Sequence, residues 1–531
     1  MHQIVNMFSP INRIPDELLV MIFKDIQGPP VTRTLPSLHM HTKSYDETRS
    51  VVVLSHVCHH WRQTVLQTPT FWARIDGQPL DRLYTFMERA RDVPMTLFLY
   101  WSVGNKLATI LGATSAKRLH RIDIALDYMT EVTIAPLITW AAPDLECLVL
   151  LTHRNAPTSA RASLASVQLL AGRTHALKAL ALQYIASWLP SNTFPSLTHL
   201  HLHFALSTNA QTPEILAVLS NAPALEFIHI GELFHRQDTK PVDQNLPVVL
   251  SRLRYLALVH FAYTRAMSLL EHLSFPDNCF VCLDDLSITP AKEGDPRRLV
   301  DIGPLHNATR LDLASAGIVM LLVADSDTSG FWMRAETRED GDAWELWSHN
   351  LPTMISLYTI LSLHMNIFAG HTFWPTVLPQ FTALVELKVF VGSSDPCPDD
   401  TSPIDVLCTT LSSQPVVLPS LLDLYVEGSY YILDYDQFFV ALVGMVAFRS
   451  RSGHRLRRFS VQPQRINQGC LRRSVIADCR RYVDEFKLVG GNEQLCSFNA
   501  VRNIWRRSEA EKYWRIDQPT RRYNVSYVLY R

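Results

Sequence analysis

Three histidines alternate along one short segment of the chain, at His199, His201 and His203. If this segment is a β-strand, alternate side chains point to one face, and the three imidazoles share it. Imidazole is a common metal ligand, so the row could bind zinc. Against this, same-face neighbours stand about 7 Å apart along a strand, and no Asp, Glu or Cys stands beside them. We therefore predict no metal site.

A different chemistry for the histidine row is protein recognition. Neighbouring strands lie roughly 5 Å apart, so aromatic and histidine side chains of the following segments would extend the same patch. Such a patch suits a substrate-binding surface, and a merely solvated strand face is the alternative. The substrate-binding candidates are His199, His201, His203, Phe227, His229 and Tyr255.

Other reactive residues give no catalytic pattern. Cys279 and Cys282 have the spacing of half a zinc site, but no second pair follows at zinc-ribbon distance, which favours a buried structural role. The sequence has no phosphate-binding glycine loop, Gly-x-Ser-x-Gly elbow or His-Glu-x-x-His helix. We predict that the protein is not an enzyme and needs no cofactor.

The elements that must position these side chains follow a repeated pattern of apolar, two others, apolar, one other, apolar. Its first positions are residues 119, 145, 177, 197, 225, 253 and 283, which are 20 to 32 residues apart, and it returns from 384 to 461. This range is typical of leucine-rich repeats, in which each unit adds one parallel strand. The predicted fold is α/β, an irregular leucine-rich-repeat solenoid, a horseshoe with parallel strands on its concave face.

Segments between the repeats read as crossover helices or insertions. Helical patterns cover 161–171, 213–221, 262–273, 403–411 and 435–448, whereas 315–351 reads as strands and a hairpin-like insertion. One instance of the pattern is predicted at Leu283, Leu286 and Ile288. The strand and helix alternation supports the solenoid.

The N-terminal segment carries two apolar stripes at helical spacing. Pro15 suits the first turn of a helix, and Asp16 and Glu17 place negative charge at the positive end of its dipole. Each stripe is only about three turns long, so the two predicted helices should pack together as a hairpin. The stripes are Leu18, Leu19, Ile22, Phe23 and Ile26, and then Leu54, Val57, Cys58, Trp61 and Val65.

These residues resemble an F-box, through Ile14-Pro15-Asp16-Glu17-Leu18-Leu19, Val57-Cys58-x-x-Trp61-Arg62 and Phe71-Trp72. A long insertion at 28–50 separates the two stripes. Fungal F-box proteins with leucine-rich repeats are similar in this loop and in the following repeats. The resemblance implies docking onto a Skp-family adaptor and, through it, a cullin-based ubiquitin ligase. The implied adaptor-binding residues are Ile14, Pro15, Leu18, Leu19, Ile22, Phe23, Val57, Cys58 and Trp61. A plain helical hairpin that caps the repeats is the alternative.

Composition and charge fit a protein inside the cell. The 531 residues include no apolar run long enough for a membrane span, and the first residues lack the pattern of a secretory signal. Nine scattered cysteines are typical of a reducing compartment, so we expect a cytoplasmic or nuclear location. From Arg449 onward, 19 Lys and Arg oppose 7 Asp and Glu, an excess that could contact nucleic acid or close the array as a polar cap.

The predicted organisation is an F-box-like domain at 1–80, repeats at 81–465 and a basic C-terminal cap or tail at 466–531. The predicted function is substrate recognition for a Skp/cullin/F-box ubiquitin ligase, with an unknown protein as substrate and no membrane contact. The alternative is a repeat scaffold that binds protein or nucleic acid independently of ubiquitin ligation.

Overall fold

A computed structural model of the chain describes residues 10–27, 47–76, 80–101, 111–112, 116–126, 131–152, 165–185, 188–205, 208, 210–233, 247–288, 300–316, 318–337, 351–366, 373–391, 403–428, 435–463, 473–489, 503–505 and 507–514. The chain is mixed α/β: N-terminal helices precede strands that pair mainly in parallel. None of the described helices is both long and apolar enough to cross a bilayer.

The described helices and strands follow each other as expected of an α/β chain. The helices are α1 (Asp16–Gln27), α2 (Glu47–Val57), α3 (His59–Gln67), α4 (Leu80–Arg89), α5 (Glu131–Thr139), α6 (Thr212–Ser220), α7 (Tyr263–Glu271), α8 (Gly303–His306), α9 (Phe373–Thr376), α10 (Pro403–Leu411), α11 (Tyr435–Arg451) and α12 (Arg473–Tyr482). The strands are β1 (Arg74–Asp76), β2 (Met95–Trp101), β3 (Leu119–Leu126), β4 (Cys147–Thr152), β5 (Ala165–Val167), β6 (Ala179–Ile185), β7 (Trp188–Pro190), β8 (His199–Phe204), β9 (Phe227–Leu233), β10 (Val248–Val249), β11 (Tyr255–Phe261), β12 (Leu273–Ser274), β13 (Phe280–Ile288), β14 (Arg310–Ala316), β15 (Val319–Asp325), β16 (Gly330–Thr337), β17 (Ser362–Asn366), β18 (Glu386–Val391), β19 (Asp423–Gly428), β20 (Arg458–Pro463) and β21 (Glu485–Leu488).

The described residues divide into two compact units. The first unit lies within Met1–Leu253, His272–Phe275 and Arg507–Gln518, and the second within Arg254–Glu271, Pro276–Arg506 and Pro519–Arg531. Residues 507–514 therefore belong to the first unit, although they are near the end of the chain.

The first unit is built on parallel strands in the order β1, β2, β3, β4, β6, β8, β9. The repeated apolar pattern sets their register, because its second and third positions align from strand to strand. The side chains at these aligned positions, given next, are all buried. One row is Ile122, Leu148, Leu180, Leu200 and Ile228, and the next is Ile124, Leu150, Leu182, Leu202 and Ile230.

The second unit orders its strands β11, β13, β16, β15, β14, β17, β18, β19, β20, β21. Among the described strands of this unit, only β15 runs antiparallel to its two neighbours. This confirms the strands and hairpin predicted within 315–351 as far as Thr337, and 338–350 lie outside the described residues. The predicted pattern again sets the register from β18 to β20, and β14 and β17 align with it. The aligned rows are Leu311, Leu363, Leu387, Leu424 and Phe459, and then Leu313, Met365, Val389, Val426 and Val461.

Two sequence predictions fail in register or type. In β13, Val281 and Leu283 align with Leu256 and Leu258, so the predicted repeat beginning at Leu283 is displaced. β13 continues past the aligned positions and shifts register against β16 after Leu283, which explains the extra apolar residues. The predicted helix at 161–171 contains β5 and a 3₁₀ turn at Leu170–Gly172 instead, with 161–164 outside the described residues.

The buried side chain of Asn192 explains why the chain near Leu169 is extended where a helix was predicted. Its amide accepts a hydrogen bond from Leu169 N at 2.7 Å and donates one to Leu169 O at 2.9 Å. Leu169 O also accepts from Gly172 N at 3.0 Å, whereas Leu169 N depends on Asn192 for its partner, so this contact holds the segment extended. The helices predicted at 213–221, 262–273, 403–411 and 435–448 correspond to α6, α7, α10 and α11.

Candidate functional site

Helix α1 divides its apolar side chains between two stripes. Leu19 and Phe23 have no exposed surface, whereas Leu18, Met21 and Ile22 are 48%, 61% and 38% exposed. Ile26, one turn after Ile22, is 53% exposed. Residues three and four apart lie on the same side of a helix, so Leu18, Met21, Ile22 and Ile26 form one stripe, which we call the exposed apolar stripe.

The buried side of α1 packs on an aromatic core. The ring of Phe23 lies 4.8 Å from that of Trp61 and 6.2 Å from that of Phe71, measured between centroids. The Trp61 indole donates a hydrogen bond to Asn12 Oδ1 at 3.0 Å, so its polar end is satisfied. α1 packs against both α2 and α3. The three helices therefore hold one face of α1 inside and leave the other uncovered among the described residues.

The second predicted helix is in fact two helices. Cys58 has extended backbone (φ −155°, ψ 171°), which ends α2, and its Sγ accepts a hydrogen bond from Trp61 N at 3.5 Å, which caps α3. Residues 47–50 of the predicted insertion belong to α2, and 28–46 lie outside the described residues. The sequence gives no sign of this break, because Leu54, Val57, Trp61 and Val65 keep helical spacing across it.

A rigid connection joins these helices to the sheet of the first unit. The Trp72 indole donates to Val65 O at 2.8 Å, and Arg74 Nη1 donates to Gln27 O at 3.1 Å. β1 begins at Arg74 and pairs in parallel with Thr96–Phe98 of β2. The helices thus continue into the sheet without a flexible linker between Phe71 and Asp76.

The predicted adaptor-binding residues separate into three groups. Leu19 and Phe23 are interior, so they support the fold and present no surface to a partner. Ile14, Cys58 and Trp61 are half-buried, and Cys58 and Trp61 both face Asn12. The exposed candidates are Pro15, Leu18, Ile22 and Val57, to which the structure adds Met21, Ile26 and Val53. Helical spacing in the sequence already places Met21 and Ile26 beside Leu18.

The histidine row of β8 is covered, contrary to the expectation of an open face. His199 and His201 are each 4% exposed, and Phe227 and His229 of β9 are also buried. His203 is half-buried. The rings of His201 and His229 stack with their centroids 4.6 Å apart. Tyr255 is buried on β11 in the second unit.

Burial also sets the charge of these histidines. It lowers the pKa of His199 from 6.5 to about 4, opposed by the hydrogen bond to Glu509 O and assisted by nearby Lys512. It lowers the pKa of His201 well below 6.5, with His229 and His203 adding to the effect. Both rings are therefore neutral at pH 7. Since the Glu509 carbonyl can only accept, His199 Nε2 carries the ring proton at their 2.9 Å contact.

The chain itself supplies the cover, through residues 507–514, which we call the C-terminal cover. Trp514 lies in a buried cluster on the face of β4 and β6, and Tyr513 packs against that cluster. The lining side chains, called the apolar trough, are Cys147, Val149, Leu151, Ala179 and Ala181. Sequence analysis missed this cover, although β4 and β6 carry apolar residues on both faces, a pattern typical of strands buried on both sides.

The buried cysteines show no metal-binding arrangement. Cys279 and Cys282 are fully buried, and burial raises the pKa of the Cys282 thiol well above 9.0. Within the described ranges, no three His, Cys, Asp or Glu residues are grouped as a metal ion requires. Cys279 Sγ instead lies 3.7 Å from Phe280 O, a weak contact consistent with packing.

Four of the described arginines near the C-terminus have polar partners within the second unit. Arg455 contacts Asp484 at 2.7 Å, Arg457 contacts Asp423, and Arg458 contacts Glu485 at 3.2 Å. Arg449 is fully buried and donates to Val417 O and Leu418 O. These contacts use the basic residues within the second unit, so they give no specific support to a phosphate-binding surface.

Comparison with known families identifies the N-terminal helices. Residues 11–78 match the family model described as F-box-like, a range that contains α1, α2, α3 and β1. No curated protein matches the chain. The matched range coincides with the aromatic core, the exposed apolar stripe and the strand that joins them to the sheet. The chain therefore carries an F-box-like domain at residues 11–78.

Proposed function

We propose that this protein is the substrate-recognition subunit of a Skp/cullin/F-box ubiquitin ligase. Its F-box-like domain docks on a Skp-family adaptor, and the following strands, read as irregular leucine-rich repeats, hold a protein substrate. Ubiquitin transfer belongs to the other subunits, so this chain contributes no catalytic residue. F-box domains typically bind Skp-family adaptors, and residues 11–78 match such a domain.

One observation carries the docking proposal: exposed apolar side chains are concentrated in the matched domain. Seven of the fourteen large apolar side chains exposed among the described residues fall between residues 11 and 57. A concentration of this kind marks an interaction surface, since single exposed apolar residues are otherwise scattered. The seven are Ile11, Leu18, Met21, Ile22, Ile26, Val53 and Val57.

The connection through β1 supports the second half of the proposal. A ligase receptor must hold its substrate at a fixed position relative to the adaptor, and a flexible linker would blur that position. In the first unit, the hydrogen bonds of Trp72 and Arg74 and the pairing of β1 with β2 fix the helices to the sheet. A plain capping hairpin would need these contacts as well, but it would not need an exposed apolar stripe.

Titration of the full chain with a purified Skp-family adaptor tests the proposal. We expect Met21→Asp to weaken binding by at least about 100-fold, because a buried unpaired carboxylate costs several kcal/mol at an apolar interface. Met21 is 61% exposed before binding, so the substitution should leave the fold unchanged. Leu19→Asp is unsuitable for this purpose because Leu19 is interior.

Val440→Asp is the matched control. Val440 is 67% exposed on α11 in the second unit, so it also replaces an exposed helical apolar residue by Asp. It should bind the adaptor as the unmodified chain does. Equal binding by Met21→Asp, Val440→Asp and the unmodified chain would show that the exposed apolar stripe is not the docking surface.

A further inference from the structure

The C-terminal cover contacts the first unit in the way that a bound peptide contacts a groove. Its backbone is held at two carbonyl groups four residues apart. Arg121 Nη1 donates to Tyr513 O at 2.7 Å, and His199 Nε2 donates to Glu509 O at 2.9 Å. The cover is a short 3₁₀ helix, Ser508–Glu511, followed by Lys512, Tyr513 and Trp514. Main-chain hydrogen bonds combined with pockets for selected side chains are a common way to bind a peptide.

A pocket for one large side chain lies between these two anchors. Trp514 is 2% exposed and fills the apolar trough, where Ala179 and Ala181 leave room for an indole. Tyr513 lies across the edge of His199, with ring centroids 4.9 Å apart. The groove therefore selects two adjacent aromatic residues, of which the second is deeply buried. Large aromatic anchors in fully desolvated pockets dominate the energy of most interfaces.

The resident segment leaves polar atoms of the groove unused. Both ring nitrogens of His201 in the groove are buried and lack a hydrogen-bond partner among the described residues. Nε1 of Trp514, which belongs to the cover, also lacks one among them. The ring of His201 stands 6.4 Å from that of Trp514, so these unpaired atoms lie at the pocket itself. Buried polar groups without partners are costly, and a ligand that pairs with them gains over one that does not.

We propose that the face formed by β3, β4, β6 and β8 is a binding site for a peptide that forms a short helical turn followed by two adjacent aromatic residues, of which the second is tryptophan. The C-terminal cover is its resident occupant, and a partner peptide of the same chemistry competes for the site. The site deepens the proposed function, on which it rests for its biological role, because it names the substrate class as peptides with a Tyr-Trp type pair.

The experiment uses a fluorescent peptide with the sequence of residues 507–514, Arg-Ser-Glu-Ala-Glu-Lys-Tyr-Trp, and the full chain. In the unmodified chain the cover competes at high effective concentration, so the peptide binds weakly. Trp514→Ala weakens the cover, and we expect the peptide to bind that variant about 30-fold tighter or more, as measured by fluorescence anisotropy. A peptide with Ala in place of its Trp should bind neither protein.

A second variant keeps the test decisive if Trp514→Ala does not fold. Tyr513 is only half-buried, so Tyr513→Ala weakens the cover without emptying the trough. It should bind the peptide about tenfold tighter than the unmodified chain. Tyr358→Ala, which removes a 66% exposed tyrosine of the second unit, is its control and should show no gain.

No gain in peptide binding by a folded Tyr513→Ala chain, or an equal gain by Tyr358→Ala, would overturn the proposal. Because the assay contains no adaptor, either result leaves the adaptor titration unaffected. Conversely, the adaptor result for Met21→Asp does not affect the peptide assay, which uses other variants and no adaptor.

Discussion

The division of α1 into a buried and an exposed side predicts opposite results for two neighbouring substitutions. Phe23 has no exposed surface and packs within 4.8 Å of Trp61 and 6.2 Å of Phe71, between ring centroids. Replacing a buried Phe by Ala costs about 3–5 kcal/mol, from lost burial and from the cavity that remains. Met21 is 61% exposed, so Met21→Ala should change stability by less than about 0.5 kcal/mol.

Native-state hydrogen exchange is the appropriate assay, because a chain with two compact units is not expected to unfold in one step. A loss of 3 kcal/mol in local stability corresponds to roughly 100-fold faster exchange. Phe23→Ala should therefore speed amide exchange in α1 and α3 by at least about 100-fold, while exchange in α11 of the second unit stays unchanged. If Phe23→Ala and Met21→Ala exchange at the same rate in α1, the inferred core is wrong.

Three further predictions concern buried polar contacts. Burial lowers the pKa of His199 from 6.5 to about 4, so the C-terminal cover has its full stability above pH 6.5. As the pH falls from 6.5 toward 4, His199 takes up a proton in the uncovered state but not in the covered one. The cover therefore loses about 1.4 kcal/mol of stability per pH unit in this range. The exchange rate of the 507–514 amides, corrected for its intrinsic pH dependence, should rise as the pH falls. An equally steep rise of this rate in the His199→Gln variant would refute the prediction. Asn192→Ala leaves Leu169 N without its partner, while Leu169 O keeps the hydrogen bond from Gly172 N. Segment 165–172 should therefore lose about 1–3 kcal/mol and become sensitive to limited proteolysis, and an unchanged cleavage pattern would contradict the role given to Asn192. Trp505→Phe removes the donor to Asp325 Oδ2, so the free energy of unfolding of the second unit, measured with denaturant, should fall by about 1–3 kcal/mol. An unchanged free energy of unfolding would contradict this.

The register of the sheet could be predicted from the sequence because burial and spacing act together there. A residue in the second or third position of the pattern is apolar on the side that the sheet buries, so aligned positions repeat from Ile122 to Ile228. The interior residues of α1 could be inferred in the same way, since helical spacing separates Leu19 and Phe23 from Leu18 and Ile22. Leucine-rich repeats and the ligase partners remain proposals.

Two of the failures depend on side-chain contacts with the backbone that apolar spacing does not reveal. The segment at 161–171 has helical spacing, but the side chain of Asn192 holds Leu169 in extended structure. Cys58 ends α2 and caps α3 although apolar spacing continues across it. Spacing within a segment carries no information about such partners.

The cover of the histidine row is the largest difference, and part of it was visible in the sequence. Apolar residues on both faces of β4 and β6 require a covering element, and Cys147 and Ala179 are on the face that was expected to be open. What the sequence could not supply is the identity of that element. Trp514 is more than 300 residues from the strands that it covers.

Hydrogen-exchange footprinting of the full chain with a purified Skp-family adaptor tests the central claim most directly. If the F-box-like domain docks through its exposed apolar side chains, adaptor binding should slow amide exchange in α1 and α2, especially near Met21, Ile26 and Val53. Exchange in α11, which carries the exposed control residue Val440, should not change. Absence of slowing in α1 and α2 at saturating adaptor, or slowing confined to the second unit, would contradict the account.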